Sequence, residues 1–122
     1  MDITLQTQKE VTEIVLHIND LDVHSYQLNP YEISQVMPFN KSHYNAQYDK
    51  WTIPIPLVNG KLDANITVIL SIDYTGYMRD DMRGFYRSYY MEGGKKVWMG
   101  TTQFQPVHAR RAFPCFDVSF CC

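Results

Sequence analysis

Residues 101–117, TTQFQPVHARRAFPCFD, gather the reactive and polar side chains of Gln103, Gln105, His108, Arg110, Arg111, Cys115 and Asp117 into one short stretch. A cysteine attacks only as its thiolate, which needs a nearby base or positive charge. Cys115 stands among Phe113, Pro114 and Phe116, and apolar burial raises a thiol's pKa, so it is expected to pack rather than react. A hydrolytic metal centre needs closely placed His, Asp, Glu or Cys and a water-activating carboxylate. His17, His24, His43 and His108 lie far apart and no H-E-x-x-H occurs. No catalytic residue and no metal ligand is therefore expected in this chain. His17 is expected to make an ordinary hydrogen bond from an alternating strand, and His108 to be a solvated helix residue. G-x-S-x-G, P-loop and dinucleotide-binding glycine patterns are absent.

What the stretch can do is bind. In a strand, Thr101, Gln103 and Gln105 project to one face, which sets two carboxamides about 7 Å apart. Their oxygens can accept from an ammonium or amide group, as recognition of a peptide's amino end requires. A polar strand face turned to water has the same spacing.

Alternation with period two must position these residues, and it dominates the chain. Ile3 and Leu5 begin it, Ile14, Leu16 and Ile18 continue it, and Leu21 and Val23 extend it. Trp51, Ile53, Ile55 and Leu57 precede Asn59-Gly60, and Leu62, Ala64, Ile66, Val68, Leu70 and Ile72 follow, so a hairpin with a primed turn is expected there. Pro54 and Pro56 remove two donors, so that arm belongs at a sheet edge or pairs through its other residues. FYRSYYM and KVWMGTTQF, divided by EGGK, predict a second hairpin. PVHARRAF predicts about two helical turns from Pro106 to before Pro114. The expected fold is all-β, an antiparallel sandwich or strongly curved sheet with one short helix near the C-terminus.

A length of 122 residues fits one domain, and 45% apolar with 20% charged residues is globular composition. A net charge of −2 with interspersed signs offers no footprint for nucleic acid or an anionic membrane surface. The N-terminal residues do not read as a signal peptide, and no apolar run approaches a membrane span. Cys115, Cys121 and Cys122 crowd the end rather than spreading as a disulfide framework does. Asn40-Lys41-Ser42 and Asn65-Ile66-Thr67 could accept glycans in a chain that entered the secretory path, although so short a pattern also arises by chance.

GFYRSYY followed by TTQFQPVHARRAFPCFD resembles the N-terminal β domain of zinc aminopeptidases of the aminopeptidase N type. That family's pattern is a G-F-Y-R-S strand, a T-Q-F-E/Q strand and the run A-R-x-A-F-P-C-F-D-E-P. VTEIVLHINDLDV is similar to its T-x-x-I-x-L-H-x-x-x-L-x-I strand pair. The resemblance covers residues 1–117 and implies a saddle-like β-sandwich, with the family's first strands missing and VSFCC, residues 118–122, as a tail outside the pattern. It also implies that Gln103 lines the substrate cleft near the peptide's α-amino group and that Gln105 helps shape the pocket for the first side chain. In the family, zinc, the H-E-x-x-H helix and the transition-state tyrosine belong to a following catalytic domain, and many members are membrane-anchored with an extracellular catalytic region.

The expected function is thus that of a non-catalytic piece of a zinc aminopeptidase, with one wall of a peptide cleft and no cofactor of its own. Expected partners are peptide N-termini, an aminopeptidase catalytic domain, or other copies through exposed β edges. The alternatives are a stand-alone peptide- or protein-binding module, and a gene model whose true product continues into an active enzyme. Val118-Ser119 can be encoded by GTA-AGT or GTG-AGT, so read-through into an intron is one expectation for the tail; an ordinary continuous exon there contradicts it.

Overall fold

The described residues form nine strands, in chain order β1 (Asp2–Gln6), β2 (Glu13–His17), β3 (Leu21–Asn29), β4 (Met37–Pro38), β5 (Tyr44–Asn45), β6 (Lys50–Pro54), β7 (Thr67–Gly76), β8 (Gly84–Glu92) and β9 (Lys95–Gln103), the longer ones along the period-two segments of the sequence. They belong to a computed structural model that describes residues 1–29, 36–57 and 59–117. The tail expected at 118–122 lies outside the described residues. Two short 3-10 turns, Lys41–His43 and Ala109–Arg111, are the helical elements described. The fold is all-β, as the alternation predicts.

Contacts gather into two units, Met1–Val15 with Asp22–Thr75, and Leu16–Leu21 with the residues from Gly76 onward. In the first, one sheet runs β1-β7-β3-β4 and a second runs β2-β6-β5. β1 and β7 pair antiparallel, with Ile3 opposite Leu70 and Leu5 opposite Val68. Val68, Leu70 and Ile72 of β7 and Trp51 and Ile53 of β6 are buried, while Thr67, Ile69 and Lys50 face outward. Trp51, 1% exposed, joins the layers, meeting the Tyr26 ring of β3 edge-on at 5.4 Å and the Phe39 ring at 5.3 Å.

The expected hairpin across Asn59-Gly60 does not form, because β6 and β7 lie in different sheets. Gly60 N–H donates to the Leu57 carbonyl at 2.8 Å, and the Asn59 side chain accepts from Lys61 N–H at 3.3 Å. Gly60 takes φ +67°, which glycine adopts without strain. Each arm buries its apolar face against the other layer, a solution with the same residue alternation as a hairpin. The proline arm does not lie at a sheet edge: β6 is the middle strand of its sheet and ends at Pro54, so it pairs through its other residues. Residues 62–66 are not strand either; Asn65 turns the chain at φ +62° and β7 begins at Thr67.

The second unit holds the β8-β9 ribbon, whose register runs from Gly84 opposite Gln103 to Glu92 opposite Lys95. Gly93 and Gly94 close it at φ +55° and +78°, the conformation a two-residue primed turn requires and glycine adopts without strain. This hairpin forms as the EGGK spacing predicts.

Candidate functional site

β9 ends at Gln103, and the chain beyond it turns over residues 105–108. Gln103 and Gln105 are both exposed, but only Gln103 stands on the strand, so period-two spacing does not govern Gln105. The helix expected from Pro106 shortens to the single 3-10 turn Ala109–Arg111. His108 N–H donates to the Phe104 carbonyl at 2.7 Å, and the Phe104 and Phe113 rings meet edge-on at 5.7 Å, folding the segment back on itself.

The charged residues after β9 are anchors. Arg110 Nε reaches Asp117 Oδ2 at 3.0 Å and its Nη2 donates to the Asp117 carbonyl at 2.6 Å, both side chains being 13% exposed. Arg110 N–H also donates to the same carboxylate at 3.2 Å, and the Arg110 carbonyl accepts from Asn19 N–H at 2.9 Å. Arg111 pairs with Asp81 at 2.5 Å. Sequence reasoning passed over these pairs; Arg110 and Asp117 stand as opposite charges on either side of the buried Pro114, whereas Asp81 lies 30 residues before Arg111 and no local spacing announces that pair.

His17 sits on the polar side of its alternation yet is 7% exposed, because that side is covered. Its N–H donates to the Cys115 carbonyl at 2.7 Å and its carbonyl accepts from Cys115 N–H at 3.1 Å, a short antiparallel bridge. Burial pushes the Cys115 thiol up to about 11 from an ordinary 9.0; the Asp117 carboxylate adds to the rise and the Arg110 cation opposes it. The folded state therefore holds the proton more tightly, and the stability this confers is complete below pH 9.0 and is lost as pH rises through about 11. Iodoacetamide at about pH 8 is expected to label Cys115 at least about tenfold more slowly in the folded chain than in guanidinium, read by peptide mass spectrometry. Equal rates would show that the thiol is not enclosed.

The ribbon exposes aromatic surface. Tyr89 and Trp98 stand directly opposite, rings 5.4 Å apart and about half exposed. Lys96 Nζ lies 4.4 Å from the Tyr89 centroid and the Arg87 guanidinium 5.3 Å from that of Trp98. Asp80 holds Arg87 through bonds of 2.5 and 2.7 Å, and this hydrogen bonding keeps the Asp80 carboxyl below its usual range. A pocket of about 300 Å³ lined by Met78, Arg87, Trp98, Met99 and Gly100 opens here; neither glutamine lines it. Among the described residues no group of three or more His, Cys, Asp or Glu could hold a metal ion, so a zinc centre does not fit these side chains.

Residues 1–118 match the family model for the peptidase M1 N-terminal domain. The chain is 37% identical over 117 residues to a membrane alanyl aminopeptidase of Manduca sexta and 39% identical over 118 residues to one of Heliothis virescens, each match covering 91% of this chain. It is 30% identical over 117 residues, 96% of its length, to the thyrotropin-releasing hormone-degrading ectoenzyme of Rattus norvegicus. In all three cases the matched segment spans 11% of the relative.

Proposed function

This chain belongs to the peptidase M1 N-terminal domain family, and on that premise we propose that it is the non-catalytic β portion of a zinc aminopeptidase and supplies one wall of its peptide cleft. The observation that carries the proposal is the match of residues 1–118 to the family model, alongside relatives named aminopeptidases of which the chain spans 11%. The whole protein would remove N-terminal residues from peptides. Zinc would polarise the scissile carbonyl and activate water there, from ligands outside the described residues of this chain.

Within that cleft the Gln103 carboxamide oxygen accepts from the substrate's α-ammonium, and Gln105 borders the first side chain. Exposure of both residues supports this, as does the anchoring of the segment behind them by Arg110 and Asp117. The exposed ribbon around Tyr89 and Trp98 is the surface offered to the catalytic domain; when no such domain covers it, that surface and the open edge of β1 favour self-association.

The test is a transplant. The Manduca sexta enzyme, with its matching segment replaced by residues 1–117, is expected to hydrolyse aminoacyl reporters. Gln103→Ala in that chimera is expected to raise KM about tenfold, equivalent to about 1.4 kcal/mol, with a smaller change in kcat. Equal KM values with and without the substitution would remove Gln103 from the cleft.

A further inference from the structure

The geometry points to Asn65 as a carbohydrate attachment site: in a chain that enters a lumen holding a lipid-linked oligosaccharide pyrophosphate, we propose that its side-chain amide accepts the sugar. Asn65-Ile66-Thr67 has the acceptor pattern, and the fold presents it in a specific way. Thr7, 9% exposed, clamps the backbone of this segment. Its N–H donates to the Ile66 carbonyl at 2.9 Å, its carbonyl accepts from Asn65 N–H at 2.7 Å, and its hydroxyl donates to the Asp63 carbonyl at 2.6 Å while accepting from Ile66 N–H at 3.1 Å.

The fold thus holds the acceptor pattern by its main chain. Ile66 is half-buried, whereas Asn65 and Thr67, the two residues whose side chains take part in transfer, are exposed on either side of it. Asn65 tolerates its φ of +62° better than most residues, so the turn keeps its form with the glycan attached. Transfer forms a bond from Asn65 Nδ2 to the anomeric carbon; the bond from that carbon to the pyrophosphate oxygen breaks, the lipid pyrophosphate leaves with the electron pair, and the amide loses one proton. Nothing is oxidised or reduced.

The experiment directs the full chain into the secretory lumen of insect cells with an added, cleavable export signal. Recovered protein is treated with peptide N-glycosidase in ¹⁸O water and digested with trypsin. The expected result is an ¹⁸O-labelled Asp at position 65 in the peptide from Leu62 to Arg79, together with a gel shift that Thr67→Ala reduces by one glycan. Thr67→Ala leaves the Asn65 turn residue in place, and the covalent readout does not depend on the variant's stability. Signal-cleaved chain with Asn65 unmodified, or with sugar at Asn40 alone, overturns the proposal.

Discussion

Trp51→Ala is expected to destabilise the chain by about 3–5 kcal/mol, the range for deleting a fully buried large aromatic side chain. Trp51 is 1% exposed and is held edge-on by Tyr26 and Phe39, so its removal takes away transfer free energy and two aromatic contacts together and leaves a void between the sheets. Against a typical domain stability of about 5–15 kcal/mol, the loss brings the first unit close to unfolding. Urea titration followed by far-ultraviolet circular dichroism checks it. The midpoint should fall strongly for Trp51→Ala and much less for Trp51→Phe; equal midpoints for Trp51→Ala and the parent would mean that Trp51 does not bridge the layers.

Gly84→Ala is expected to cost about 2–5 kcal/mol, combining left-handed backbone strain with overpacking. Gly84 opens β8 at φ +70°, opposite Gln103, and an added Cβ would come within 2.6 Å of Arg111 Cβ and 3.1 Å of the His108 carbonyl oxygen. Neither neighbour is the free end of a flexible side chain, so the chain after β9 must shift. The expected readout is a lower thermal midpoint together with changed amide shifts at His108 and Arg111. Gly93→Ala is the matched control, since Gly93 also has positive φ but a Cβ there meets nothing within 4 Å. Equal losses for the two variants would show that close approach at Gly84 is unimportant.

These two residues mark what was legible in the sequence. Trp51, Ile53, Val68, Leu70 and Ile72 announce themselves as buried through alternation, and all five are buried. Their pairing was not legible, because residues alternate identically whether two strands lie side by side or face each other across a core; the Asn59-Gly60 pair favoured the wrong option. Where two glycines closed the turn, as at Gly93-Gly94, local chemistry and pairing agreed and the hairpin was readable. Gln103 was legible as a strand residue, whereas Gln105 was assigned to a strand that stops two positions earlier. The main-chain bridge of His17 is made with Cys115, far along the chain, and no local pattern carries such a contact. The family match was written most plainly of all, in the run from Gly84 to Asp117.

The charged pairs after β9 give that run a physical meaning. Arg110 and Asp117 are both largely enclosed, and their pair holds the ends of the segment relative to each other. Under the proposed function, such a support would hold Gln103 and Gln105 in place toward a peptide.

The account rests on the claim that peptide-bond hydrolysis is not carried out by these residues. Purified chain incubated with Zn²⁺ should, after dialysis, retain no stoichiometric metal and release no free amino acid from an aminoacyl reporter, whereas the transplanted aminopeptidase should retain zinc and turn the reporter over. Stoichiometric zinc bound by the isolated chain, together with reporter turnover that co-purifies with it and is abolished by chelation, would contradict the account.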